Sequence, residues 1–584
     1  MSNIPLMYQA QLSGRGQVQY FSDENKPAYQ WIEEWQDALS QDCPDFAPPH
    51  LVLKEDAKIN WRYVSNSGQD ETIIRPVIGA KGYPMVTGSS MKGLFKRTCT
   101  RNQWFKYCGG ETEIDDVKTT KPGQLIFYGG FVRDKGVIDD SAVDIVHEQQ
   151  DWQVKNFQAS HSANIQISLK EPTFTFIIGA TTFLTPEEQE EVQIIWHKAL
   201  SLGLGSRTSA GYGKVLVKSK GTKIIQRVPL SGQGIAPLLP NKQAEFRLNI
   251  FKAALRGHTL RLLGGLLDEV SALYLTKKLW GGFINQEELN ALNRKGIQVF
   301  RDNKPKPIVG YLDVDFINQS SIDFVTREYK RLSNKGFLTR HKTIHFDLEK
   351  GELQFRFTNA ITNQNQNTVK NFLRQLIQFS LLLGGFGRSW RRADHRIFKP
   401  SYKGAAIGCH WSYHAQTVRN LQNHPKFDQL QKIYILPFEI ESELSLSNFF
   451  GSLNESILDW IINEGIQISK NHPAWREKWN KSNVQVWGLL RENNSSQAID
   501  WFHDDKSFIK KTSLTGGFFN GKLNISRIWH RMYPLHQVKN NILTLQENKY
   551  IELLTIFTSE IDDLDIDFID FLKEDTQFQK VYPA

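Results

Sequence analysis

Two stretches of the chain carry the same helical stripe of apolar residues. Val192, Ile195, Trp196, Ala199 and Leu200 recur at positions 0, 3, 4, 7 and 8, and Val369, Phe372, Leu373, Leu376 and Ile377 repeat that spacing. The first helix opens at Thr185-Pro-Glu-Glu188, where threonine caps, proline takes the first helical position and Glu188 closes a capping box. Each helix is preceded by a strand-like alternation, Thr173–Ile178 and Glu352–Phe357, and followed by a glycine-rich turn. The turns are Ser201-Leu-Gly-Leu-Gly-Ser-Arg-Thr-Ser-Ala-Gly-Tyr-Gly213 and Leu383-Gly-Gly-Phe-Gly-Arg-Ser-Trp-Arg-Arg392.

Other landmarks recur in the same order. Ser89-Ser-Met-Lys-Gly-Leu-Phe-Lys-Arg97 opens an early basic helix, matched by Ala254-Leu-Arg-Gly-His-Thr-Leu-Arg261. Tyr107-Cys-Gly-Gly110 is matched by Leu279-Trp-Gly-Gly282, and strand-like Gln124–Tyr128 by Ile308–Leu312. The offsets between copies are 164 at Lys92 and Arg256, 172 at Gly110 and Gly282, and 182 at Gly203 and Gly385. A band this narrow predicts duplicated domains of α+β class, each of the split βαβ or ferredoxin-like plan. Residues 1–228 form the first domain, 243–420 the second, and Pro229-Leu-Ser-Gly-Gln-Gly-Ile-Ala-Pro237, within 229–242, reads as the linker. Beyond 420 the pattern fades, leaving a C-terminal region, 421–584, with a strand at Lys432–Glu439 and a helix at Ser452–Gly465. From Glu552 to Asp575 nine acidic residues face one lysine, the pattern of a solvated helix face or of a segment docking on a basic partner.

Composition adds a few exclusions. The 584 residues are 40% hydrophobic and 23% charged, which excludes wholesale disorder. A net charge of +9 favours an anionic partner such as nucleic acid. Four scattered cysteines predict no disulfide framework and a reducing compartment. No apolar run reaches the ~18 residues of a membrane span, so no membrane partner is expected and the cytoplasm is the expected location.

The candidate chemistry is phosphate binding. Glycines in a turn let backbone N–H groups approach a phosphate closely. The first turn adds Gly205, Arg207, Thr208, Ser209, Tyr212 and Lys214; the second adds Arg388, Trp390, Arg391, Arg392 and Arg396. The early helices contribute Ser89, Ser90, Lys92, Lys96 and Arg97 in one half and Arg256, His258 and Arg261 in the other. Guanidinium and aromatic planes together suit single-stranded RNA. The competing reading is a pair of tight turns with solvated arginines. Neither nucleotide-binding glycine motif is present, the histidines are dispersed, and no nucleophile elbow exists. One carboxylate, Asp70 in Gly68-Gln-Asp-Glu-Thr-Ile-Ile-Arg75, stands in a polar loop where it could hold a divalent ion for phosphodiester cleavage.

These motifs resemble those of a known family. Pro84-Met-Val-Thr-Gly-Ser-Ser-Met-Lys-Gly-Leu-Phe-Lys-Arg97 resembles the P-x-x-x-G-S-S-x-K-G signature of the RAMP superfamily, the repeat-associated proteins of CRISPR systems. The first glycine turn resembles that of the sixth subunit of the Cmr (type III-B) complex. Ala142-Val-Asp-Ile-Val-His147 is similar to a segment of the same subunit, without its proline. The second turn is similar to the glycine loop of the first Cmr subunit, with Ala393 in place of its last glycine; the early helix there keeps only Arg256-Gly257 of the signature. The resemblance covers roughly residues 1–400.

It implies tandem ferredoxin-like, RRM-related domains fused into a backbone or end-cap subunit of a type III CRISPR effector. The partners implied are the guide RNA (crRNA), single-stranded target RNA and the other effector subunits. Guide pairing would then read sequence while the protein reads backbone. The sixth and first Cmr subunits are generally not the nucleases, so the resemblance leans away from an enzyme and leaves metal-dependent cleavage of RNA through Asp70 open. No cofactor is expected, with Mg²⁺ required only if Asp70 is catalytic. The alternatives are a RAMP endoribonuclease cutting target or precursor guide RNA, and a single-strand RNA binder outside CRISPR systems.

Overall fold

The structure, a computed structural model, describes residues 27–387 and 446–583 apart from 41–42, 71–72, 80–81, 115–116, 135–136, 147–153, 156–163, 216–223, 240, 333–337, 494, 504–508, 510–513, 515–516, 520–521, 525, 540–541 and 559–562. Between those two stretches it describes 410–413, 433–435 and 438–439. The fold is α+β. The chain divides into two compact units, one of residues 1–147, 160–223 and 238–245, the other of 148–159, 224–237 and 246–584.

In the first unit, β1 (His50–Lys58) is followed by α1 (Gly88–Lys96), α2 (Arg101–Cys108), β2 (Leu125–Val132), β3 (Thr173–Ala180) and α3 (Pro186–Leu200). β3 pairs antiparallel with β1 on one side and β2 on the other, so it is inserted between the two strands that precede it. After α3 the chain returns to the far side of β1, where Val215 bridges Ile59. Strand residues Phe174, Phe176 and Ile178 pack with Met91, Phe95, Val192 and Trp196 into one core. α3 forms where its stripe and capping box place it: Thr185 Oγ1 accepts from the Glu188 N–H at 3.3 Å while Glu188 Oε2 accepts from the Thr185 N–H at 2.8 Å.

The second unit passes through the same order twice. β4 (Ile224–Ile235), α4 (Asn249–Gly264), β5 (Leu312–Asn318), β6 (Leu338–Phe357), α5 (Asn363–Phe379) and β7 (His410–Tyr413) form the sheet β5-β6-β4-β7. The predicted stripe of α5 is its buried face. β6 runs longer than its predicted 352–357 because its first half pairs with a ribbon strand, Ile322–Leu332. The strand expected at 308–312 lies instead at β5, since Leu312, Val314 and Phe316 are the residues that alternate into the core.

The third pass lies in the region where the sequence pattern faded. β8 (Val484–Arg491), α6 (Gln497–His503), β9 (Ile528–Lys539), β10 (Ile542–Phe557), α7 (Asp563–Glu574) and β11 (Gln579–Tyr582) give the order β9-β10-β8-β11. In every pass the third strand separates the first from the second, and in the last two passes the final strand lies against the first. The acidic tail begins as strand and ends as helix: Glu552 sits inside β10, and Phe568, Ile569 and Leu572 make the buried face of α7.

Three boundaries change. Residues 229–235 are not linker but the second half of β4, with Val228 and Leu230 fully buried; bulges at Ile224/Gln226 and Leu230/Gly232 absorb the irregular residues. Residues 446–583 belong to the same compact unit as α4 and α5, so the boundary at 420 does not separate a domain. The helix expected at 452–465 spans Leu446–Asn463, and the strand expected at 432–439 is a short hairpin, Tyr434 opposite Glu439. No helix among the described residues is long and apolar enough to cross a membrane.

Candidate nucleic-acid interface

α1 starts at Thr87, whose Oγ1 accepts from the Ser90 N–H at 3.2 Å. Its Met91, Leu94 and Phe95 are buried, which turns Ser89, Ser90, Lys92, Lys96 and Arg97 outward. Gly88 is required by proximity: a Cβ there would lie 2.0 Å from the Phe127 carbonyl oxygen on β2. Between Gly88 and Cys108 the sequence holds five lysines and arginines and no carboxylate. The positive end of the α1 dipole, two exposed hydroxyls and these cations make one anion-attracting surface.

The first glycine-rich turn is shaped by backbone crossings. The Ser206 N–H donates to the Val64 carbonyl at 2.7 Å, Gly213 N–H to Arg62 at 2.6 Å, and Leu204 N–H to Gly213 at 2.8 Å. A Cβ at Gly205 would sit 2.2 Å from the Val64 oxygen, and one at Gly213 1.8 Å from the Leu204 oxygen. These glycines therefore answer to chain packing, whatever else they bind. Arg207 is held left-handed at φ 58° with its side chain exposed, at a cost of about 1 kcal/mol for a residue with a Cβ. Gly205 is exposed too, and Thr208 and Ser209 are half-buried.

Two expected contacts of this turn point inward. Tyr212 is buried with its ring 4.7 Å from Trp61, and its hydroxyl donates to Asp144 Oδ2 at 3.0 Å. It cannot stack on a base; it pins the turn to Asp144, which also accepts from Gln166 Nε2 at 2.9 Å. Lys214 is likewise buried. Asp144 lies in the Val-Asp-Ile segment noted in the sequence, whose value is thus structural.

The second half differs. Arg256 is half-buried, whereas His258 and Arg261 are buried and turned from solvent. His258 Nε2–H donates to the Gly385 carbonyl at 2.9 Å, and its Nδ1 accepts from Arg261 Nη1 at 3.2 Å. Arg261 Nε donates to Glu477 Oε2 at 2.7 Å, both side chains buried. The expectation that His258 and Arg261 touch RNA is corrected: both are spent on holding the turn and the third pass. That turn leaves α5 through a π-helical step, Ser380–Gly384. Its carbonyls are gripped from β9: Leu383 O accepts from Arg531 Nε at 3.2 Å, and the Tyr533 hydroxyl is shared between Leu381 and Leu382. Arg388, Trp390, Arg391, Arg392 and Arg396 lie outside the described residues. The third pass has no glycine turn; Asp575-Thr-Gln-Phe578 leads straight into β11.

Asp70 ends a short strand, Gly68–Asp70, opposite Ile73; its side chain lies outside the described residues. Among the described residues no three His, Cys, Asp or Glu side chains converge as a metal site. Sequence reasoning passed over Arg531 and Tyr533, which act on carbonyls some 150 residues away, and the aromatic pair of α2. The chain matches no known family model, and no curated protein matches it in sequence.

Proposed function

We propose that the chain is an RNA-binding scaffold or cap subunit of a type III CRISPR ribonucleoprotein, with ferredoxin-like RAMP modules that hold guide and target RNA by their phosphates. The observation that carries the reading is the basic surface of α1 and α2, whose own residues include no carboxylate and whose Lys92, Lys96, Arg97 and Arg101 are all exposed, while Glu188 and Glu191 of α3 are taken up by Lys106, Gln103 and Tyr107. The strand order, with the third strand between the first two, fits a ferredoxin-like plan in all three passes. The exposed left-handed Arg207 supplies a further cation beside exposed Gly205 in the first turn. A phosphate-reading protein of this kind needs no catalytic group of its own.

The test is salt dependence. Single-stranded RNA should bind the purified protein with affinity that falls as salt rises. Lys92→Ala, Lys96→Ala and Arg97→Ala combined should flatten the log–log slope by about 2, at roughly 0.7 for each phosphate no longer neutralised. An unchanged slope would remove α1 from the interface and the reading with it.

A further inference from the structure

The basic surface of α1 and α2 also carries two aromatic rings. Trp104 and Phe105 on α2 are stacked, with centroids 5.6 Å apart and planes 17° from parallel. Cations cap both: Lys96 Nζ lies 3.6 Å from the Trp104 ring centre, and the Arg101 guanidinium lies 6.0 Å from that of Phe105. Both rings are half-buried, and both cations are exposed. Trp104 rests partly on the core of the first unit, yet the partner over its face is a lysine from α1 rather than an apolar side chain. An ammonium on a flexible stem is exchangeable. A flat ring can take its place over the indole while the lysine moves to a neighbouring phosphate. Lys106, the other cation of α2, is engaged with Glu188 at 2.8 Å and leaves the column to Lys96 and Arg101.

The chemistry that fits is a planar π-system joined to a phosphate. An apolar peptide would have to desolvate four exposed cations without compensation, whereas single-stranded RNA brings a base for the rings and a phosphate for each cation. We propose that Trp104 and Phe105, flanked by Lys96 and Arg101, are a stacking site for an unpaired RNA base, adjoining the phosphate-binding helix. The inference rests on the RNA-binding reading above and adds base contact to it.

The experiment compares an oligouridylate of about twelve nucleotides with an abasic ribose-phosphate strand of the same length, within the usual site size. The intact protein should prefer the oligouridylate by about tenfold, the gain expected from one stacked base. Phe105→Leu and, separately, Trp104→Leu should erase that preference, leaving abasic-strand affinity and the salt slope as they were. Should Trp104→Leu unfold the first unit, Phe105→Leu carries the test alone. Equal affinity of the intact protein for both strands, or a preference untouched by Phe105→Leu, would overturn the stacking site and leave phosphate binding standing. No salt-dependent binding of either strand would instead overturn the RNA reading itself.

Discussion

The two glycine-rich turns share a sequence plan and differ in what holds them. The first is closed by its own neighbourhood: Arg62 and Val64 accept its amides, and Asp144 anchors Tyr212. The second is held by side chains from elsewhere: His258 of α4 on the Gly385 carbonyl, and Arg531 and Tyr533 of β9 on those of Leu381, Leu382 and Leu383. A backbone-closed turn depends on glycines. A turn gripped by side chains depends on the fold that delivers them, so the third pass acts as a brace for the second although it has no such turn itself.

The sharpest way to break this contrast is Glu477→Ala. It strands buried Arg261 and should cost about 3–5 kcal/mol of stability. Denaturant unfolding should show the loss in the second unit. Hydrogen exchange of Gly203–Gly213 amides should not change; faster exchange there would mean the first turn leans on the same support. Tyr533→Phe is milder. Losing one hydroxyl shared by two buried carbonyls should cost about 1 kcal/mol and speed exchange at Gly385 and Phe386 about fivefold, with the first turn unchanged. If Gly385 exchange is unaltered, β9 is not the brace. The smallest expected effect is that of Asp70→Ala, which asks whether the first unit differs in chemistry as well as in support. On the proposed reading, an effector complex assembled with this chain should cut target RNA at every site as before; loss of a single product would make the first unit a nuclease.

Much of this organisation could be read along the chain, and the exceptions have physical reasons. The stripes of α3 and α5 were legible because each buries one face in its own module, and the Thr185–Glu188 box because a cap is local. The second half of β4 reads as a linker because Pro229, Gly232 and Gly234 resemble breakers, yet β7 pairs only Leu230 to Gln233 and two bulges take up the rest. The third pass lacked both landmarks that marked the others: its first helix has seven residues and its second ends without glycine. Residue type alone flagged Tyr212, His258 and Arg261 as ligands of RNA. Their inward direction is set by Asp144, Gly385 and Glu477, the first 68 residues from Tyr212 and the others 127 and 216 from their partners.

In the second and third passes, the final strand pairs with the first, Leu230 opposite Tyr413 and Val486 opposite Tyr582. The chain therefore leaves each of these modules beside the point where it entered. Such a sheet can be joined to what precedes and follows it from one edge, so its neighbours need not be threaded through it.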